Sequence, residues 1–300
     1  GKHRVGLSIA GLVAFRKIAR ELCNQRRNIA LPLWELDTVS ERRVKSLRGF
    51  ETLWAPSNFV KESLERATQR PVALLRHPLH VPASTILERE PANPLKILFF
   101  FDFDSFSTRK NPEGAVKAFQ LAFARNEDVL LTIKTRGFAD VGRRPWLLQQ
   151  ASLDSRIRII DETLPYEEIR NLLEQHDVFL SLHRSEGFGL GCAEALALGK
   201  IVVSTDYGGT RDFISEATGF PVSYQTVPVR EGEYIDAKGA SWAEPSIEHA
   251  AERLREIYDA PEMAWEKARQ GRQHLMRHHS VEAVGAALRD LLEAEGAFTT

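Results

Sequence analysis

From Leu95 onward, short apolar runs alternate with stretches of helical length, and this alternation limits the possible folds more than any other feature of the sequence. The runs occupy 95–101, 129–134, 156–160, 178–182 and 201–204, and helix-length patterns fill 112–125, 165–175 and 191–198. Strands so far apart are not joined by hairpins. Each returns through a crossover, which gives an α/β architecture with a parallel sheet covered by helices. Pro112 suits a first helical turn, where its missing N–H would be unbonded anyway; Asn111 can cap that helix, and Gly199 ends the one after Leu198. Past Gly219 the pattern lapses through a Pro/Gly-bearing loop at 227–245, then resumes as helices over 246–258, 261–277 and 280–295.

The first third repeats the alternation in shorter form. A buried strand and helix span 5–25, strands follow at 29–33, 52–54 and 72–75, and helices at 41–47 and 58–67. Lys2 and Arg4 before an apolar stretch imitate a secretory leader, but no small-residue cleavage site follows. Residues 88–94, with three charges and two prolines, read as a domain boundary. Two α/β lobes result, 1–90 and 95–279, with 280–300 left as a C-terminal helix.

Composition narrows the classes. At 300 residues, 43% hydrophobic and 27% charged, with no apolar run approaching the roughly 20 residues of a membrane helix, the chain is neither disordered nor membrane-spanning. Its two cysteines, Cys23 and Cys192, make neither a disulfide framework nor a zinc site, which points to a reducing, cytoplasmic setting. A net charge of −1 argues against bulk nucleic-acid binding. The charge is unevenly spread: residues 1–90 are basic and the remainder acidic. That first third is either a solvated basic face or a peripheral contact with the anionic inner face of a membrane.

Chemistry concentrates between the runs at 178–182 and 201–204, in Ser185-Glu186-Gly187-Phe188-Gly189-Leu190-Gly191-Cys192-Ala193-Glu194. A strand end there meets a helix start, where free N–H groups and the helix dipole favour an anion. Glycines let the backbone approach a phosphate closely. Glu186 in the loop and Glu194 about one turn into the helix can hold different parts of one extended ligand.

These residues resemble a known family, the retaining, GT-B-fold nucleotide-sugar glycosyltransferases of family 4. Its signature, two glutamates separated by seven residues, is matched from Glu186 through Gly199. Ser204 to Gly209 is similar to the family's loop after the next strand, Arg109-Lys110-Asn111-Pro112 to its basic segment, and Trp54-Ala55-Pro56-Ser57 with Phe59 to the end of its first domain. The resemblance implies two Rossmann-like lobes, a last helix returning to the first, and transfer of a sugar from a nucleoside diphosphate with retention and no obligatory metal or other cofactor. The acceptor is a glycan, a lipid or another molecule. Glu194 would receive the ribose hydroxyls and Glu186 the donor-sugar hydroxyls. Lys110 and Arg109 would neutralise the diphosphate, with Arg109 standing in for an arginine that many relatives carry where Ser105 lies. Gly187, Phe188, Gly189 and Leu190 would line the donor site, with Lys134 and His183 as further contacts. About 90 residues are few for such a first lobe, so the chain reads as a fragment of a longer polypeptide or as having a trimmed acceptor lobe, with the donor lobe self-sufficient.

Other readings compete. Gly187, Gly189 and Gly191 followed by Asp206 imitate a dinucleotide fingerprint, but the third glycine is needed where Cys192 stands and the helix is short. A catalytically silent nucleotide-sugar-binding module would keep the same residues. Asp102 and Asp104 form a pair that could hold a divalent ion, or could cap backbone groups instead. His278 and His279 read as surface residues.

Overall fold

The computed structural model describes residues 5–22, 27–82, 94–138 and 142–297. The first lobe runs β1 (Val5–Gly11), a 3-10 turn (Leu12–Ala14), α1 (Phe15–Leu22), β2 (Arg27–Leu33), α2 (Glu41–Ser46), β3 (Thr52–Ala55), α3 (Asn58–Thr68) and β4 (Val72–Leu74). Its strands pair in parallel in the order β1-β2-β3-β4. Helix α3 starts where the Ser57 hydroxyl accepts the Val60 N–H at 3.3 Å, and it stops at Gln69, whose left-handed backbone cannot continue a helix. The expected boundary at 88–94 falls, apart from Pro94, outside the described residues, as do Cys23 and the end of the helix expected to reach 25.

The second lobe continues with β5 (Leu95–Phe100), α4 (Ser107–Lys110), α5 (Pro112–Ala122), β6 (Val129–Thr135), α6 (Arg143–Leu153), β7 (Ile157–Asp161), α7 (Tyr166–Gln175), β8 (Val178–Ser181), α8 (Leu190–Ala197), β9 (Ile201–Thr205), a 3-10 turn (Gly208–Asp212) and β10 (Phe220–Val222). Six parallel strands lie in the order β10-β9-β8-β5-β6-β7. Ile97, Phe99, Leu131 and Ile133 face Phe119, Leu254 and Ala268 on one side. On the other, Leu98, Phe179 and Val202 meet Ala193, Leu196 and Leu275. Both faces are therefore buried, which is why these strands read as continuous apolar runs. Helix α6 is not legible because only Leu147 along it is fully buried, with Trp146 and Ala151 partly so, which makes its apolar stripe weak.

The stretch 227–245 is irregular through 229–240, as expected, but its two ends belong to an antiparallel ribbon, β11 (Tyr224–Pro228) with β12 (Ser241–Pro245), in which Val227 opposes Trp242. The connection between them enters the first lobe, where Tyr234, Ala237, Ala240 and Trp242 share a core with Trp34, Leu36 and Leu53. Helices α9 (Ile247–Asp259) and α10 (Pro261–His278) then cover the second sheet. The last helix, α11 (Val281–Ala294), lays Val284, Leu288, Leu291 and Leu292 against Ile29, Leu31, Trp54 and Leu75 of the first sheet.

Where the chain passes back between lobes, the Leu79 N–H donates to the His279 carbonyl at 2.7 Å and Leu79 bridges Ser280 in parallel. This corrects the reading of His279 as a surface residue. Its ring is fully buried against Phe188 and Phe213, with Nδ1 3.2 Å from the His77 carbonyl, whereas His278 is exposed. Burial lowers the His279 pKa to about 4.

Candidate active site

Strand β5 is flanked by β6 and β8, so the sheet grows outward in opposite directions from the β5–β8 pair. Loops leaving the carboxyl ends of two such strands diverge and open a crevice. One of those loops, 101–111, carries Arg109 and Lys110 on the single turn α4; the other, 182–189, carries Glu186. The two are tied together: the Arg184 N–H donates to the Arg109 carbonyl at 2.7 Å, and Asn111 Nδ2 donates to the Leu182 carbonyl at 3.0 Å. Asn111 also caps α5, its Oδ1 accepting the Gly114 N–H at 3.1 Å, which fixes the basic pair at the mouth of the crevice.

Glu186 receives both cations. Arg109 Nη1 stands 3.0 Å from its Oε1, and the Lys110 amine donates to the same oxygen. Arg109 is only 3% exposed; Nη1 also donates to the Ser185 carbonyl at 2.8 Å and Nη2 to Ser105 Oγ at 3.2 Å. Ser105, where relatives would place an arginine, therefore serves as a partner of Arg109. Burial alone would raise the Glu186 pKa, but the charges of Arg109 and Lys110 together outweigh it and hold the carboxyl well below the usual range.

The backbone around Glu186 is wedged between lobes. A side chain on Gly187 would collide with the Trp34 carbonyl, and the Ser57 hydroxyl donates to the Gly187 carbonyl at 2.5 Å. Behind it, the Gly209 N–H donates to the Glu186 carbonyl at 2.8 Å. Gly208 turns with φ +83°, in the space a Cβ would need against that carbonyl.

Glu194 lies on a different wall. It lines a cavity of about 450 Å³ with Leu190 of α8, Tyr166 and Arg170 of α7, and His77 and His80 of the inter-lobe segment. Burial raises its carboxyl pKa, opposed by a hydrogen bond from Tyr166. Of the residues between the glutamates, Leu190 faces this cavity, Gly189 opens α8 with a left-handed φ of +88°, and Phe188 turns inward to stack on His77 with ring centroids 5.1 Å apart. Phe188 is thus a core residue rather than a direct wall of the cavity.

The other two candidates are His183, near enough to Glu186, Lys110 and Arg109 for their charges to act on its ring, and Lys134. Both ring nitrogens of the fully buried His183 are used, Nδ1 with Ser181 Oγ and Nε2 with the Tyr207 carbonyl, each at 3.0 Å, which leaves none for a ligand. Lys134 lies next to the end of β6, two strands from β8; it is buried, and burial followed by the charge of Arg136 lowers its pKa. Asp102 and Asp104 hold the turn at 136–138. Asp102 accepts from the Asp104 N–H at 2.9 Å and Arg136 at 2.7 Å, and Asp104 accepts the Phe138 N–H at 2.9 Å. Among the described residues there is no cluster of three or more metal-ligating side chains. Cys192 is buried, which pushes its thiol pKa up to about 12 and makes it inert.

Sequence reasoning missed Glu35, Tyr234, Tyr166 and His77. Glu35 left one sign, an acidic residue set between Trp34 and Leu36 just past a strand end.

The sequence matches the family model described as Glycosyl transferases group 1 over residues 86–274. Among solved structures, S. aureus TarM in complex with Fondaparinux, alpha-GlcNAc-glycerol and UDP is similar at 12% identity and TM-score 0.70, over 98% of this chain and 55% of that one. Anabaena Alr3699/HepE in complex with UDP is 14% identical with TM-score 0.73, over 96% and 79%. The lipopolysaccharide outer core galactosyltransferase WaaB, in apo form, is 13% identical with TM-score 0.70, over 97% and 75%. These likenesses establish the two-lobed GT-B fold, and the chain spans about half the length of TarM. No curated protein sequence matches.

Proposed function

Because the chain belongs to the glycosyl transferases group 1 family, we propose that it moves a sugar from a nucleoside-diphosphate sugar to a glycan or lipid acceptor, with retention at the anomeric carbon and no obligatory metal. The observation that carries this reading is the grouping of Arg109, Lys110 and ionised Glu186 at the crevice between β5 and β8. As the sugar–phosphate bond breaks, negative charge gathers on the departing diphosphate. Preorganised cations and the free N–H groups at the start of α8 lower that barrier without having to reorganise. Glu186, unable to protonate at neutral pH, accepts hydrogen bonds from the sugar hydroxyls beside the reacting carbon. Glu194 accepts from the ribose hydroxyls in the adjoining cavity, where Tyr166 orients it.

Retention rests on the spacing of the two glutamates, which resembles the family 4 signature. Independence from metal is supported by Asp102 and Asp104, whose oxygens are committed to backbone N–H groups and Arg136. Peripheral membrane contact on the cytoplasmic side is supported by the exposed Arg16, Arg42 and Lys45 around one surface hollow of the first lobe, where Glu41 pairs with Lys45 at 2.9 Å and leaves the two arginines in excess. Among the described residues no helix is long and apolar enough to cross a membrane.

The test is thermal stabilisation by UDP, GDP and ADP, followed by turnover of the corresponding nucleotide sugars. UDP comes first because the TarM and HepE structures hold it. Stabilisation by one of the three that is reduced in Lys110→Ala and Glu194→Ala supports the reading, and none by any of them refutes it. Binding without turnover on any acceptor would favour the silent module instead.

A further inference from the structure

A second carboxylate, from the other lobe, adds its charge to that of Glu186 at Arg109. The Ser185 hydroxyl donates to the Glu35 carbonyl and the Trp34 carbonyl abuts Gly187, so the Trp34–Glu35 backbone lies directly across from Ser185–Gly187. The Glu35 side chain enters the same space, where its Oε2 accepts the Tyr234 hydroxyl. Tyr234 in turn rests on Phe106, with ring centroids 4.6 Å apart, and Phe106 begins the turn that carries Arg109. One aromatic residue thus links the first-lobe carboxylate to the loop of the cations.

Arg109 records this arrangement. Burial would lower its pKa, but the nearby charges of Glu186 and then Glu35 more than reverse that. Its Nε is buried and has no hydrogen-bond partner among the described residues. Arg109 thus lies in the field of two carboxylates, and one of its guanidinium N–H groups has no partner among the described residues.

We propose that Glu35 sets how tightly the site holds a diphosphate: the charge of its carboxylate, held beside Ser185 and Tyr234, opposes the binding of phosphate oxygens at Arg109. This rests on the reading of Arg109 and Lys110 as the diphosphate cations. Glu186 cannot play the competing part, because it is fixed between both cations and belongs to the same lobe. Glu35 comes from the other lobe, where the Tyr234 hydroxyl holds its carboxylate. A site of two cations and one carboxylate would bind an anionic product strongly and release it slowly, whereas the charge of the second carboxylate loosens that hold and speeds release.

The experiment is calorimetric titration of inorganic pyrophosphate, UDP and uridine into the wild-type chain and Glu35→Gln at low and at moderate salt. Pyrophosphate needs no assumption about the base, and uridine carries no phosphate. The expected result is that pyrophosphate and UDP bind roughly tenfold tighter to Glu35→Gln, within the usual span of couplings between two ligands of one site. Added salt should shrink the gain, and uridine binding should not change. If Glu35→Gln does not fold, Glu35→Asp, which draws the charge back by one methylene, must shift affinity in the same direction by a smaller factor. Unchanged or weaker pyrophosphate binding in the folded variant overturns the inference, as does an equal gain for uridine. A wild-type chain that binds neither pyrophosphate nor UDP, GDP or ADP overturns the donor-site reading itself.

Discussion

Replacing Glu186 by glutamine keeps the side chain's volume and removes the charge on which two cations converge. Arg109 lies 3.0 Å from its Oε1 and is 3% exposed, so after the change a buried guanidinium loses its nearest counter-charge. The Coulomb energy of one such pair is about 5 kcal/mol at an effective dielectric constant near 20. Removing one partner of a buried pair costs about 3–5 kcal/mol. Lys110 is more exposed and can turn to water, and Glu35 still offsets part of the Arg109 charge, so a loss of about 3 kcal/mol is expected. For a chain of this size that lowers the melting midpoint by roughly 5 to 10 °C.

The loss must also depend on pH. The Glu186 carboxyl is held well below its ordinary 4.5 in the folded chain, so the unfolded chain binds more protons in acid. Its contribution is complete above that value and falls away as the pH drops below 4.5 toward the folded pKa. Calorimetric melts of both proteins at about pH 7 and near pH 3.5 should therefore show a gap that narrows in acid. A Glu186→Gln protein that melts within about a degree of wild type at neutral pH, or a gap that stays constant into acid, would refute the ion-pair account.

Glu194→Ala should weaken nucleotide binding about tenfold while leaving turnover at saturating donor nearly unchanged, as separate titration and rate measurements would show. Gly187→Ala forces a methyl against the Trp34 carbonyl, so it should cost on the order of 2 kcal/mol in chemical unfolding. His279 is neutral when folded, with a pKa near 4 against 6.5 for the free side chain, so the unfolded chain gains a proton first and stability falls as the pH drops from 6.5 to 4. His279→Gln should flatten that limb of a stability–pH curve. EDTA should leave sugar transfer intact; abolition by EDTA, restored by a divalent ion, would return Asp102 and Asp104 to the mechanism.

How much of the molecule was legible in the sequence depended on the range of the interactions. The apolar runs at 129–134 and 178–182 announce themselves because both faces of a parallel sheet are covered. Glu186 and Glu194 are separated by a short stretch of local structure, and Arg109-Lys110 by none. Glu35, by contrast, acquires its meaning from Ser185, 150 positions away, and from Tyr234, still farther along the chain. No local period signals such a meeting. His279 looked like one of a pair of surface histidines because its covering, the 77–79 segment with Phe188 and Phe213, comes from remote parts of the chain. The ribbon does not register because β11 is short and mostly exposed, and the connection to β12, with Gly232 and Gly239, is irregular.

That ribbon has a consequence for how the molecule can be taken apart. Tyr234, Ala237, Ala240 and Trp242 belong by sequence to the donor half but fill the interior of the other half. Cutting the chain at 94 and keeping the C-terminal piece would strand those side chains in water, and would leave Trp34, Leu36 and Phe50 uncovered in the discarded piece. Neither half is a module that could be shuffled onto another partner unchanged. The donor lobe, which the sequence suggested would stand alone, should be sticky and poorly behaved when excised unless 229–240 is shortened to a tight turn, and the intact molecule should melt in a single transition rather than lobe by lobe.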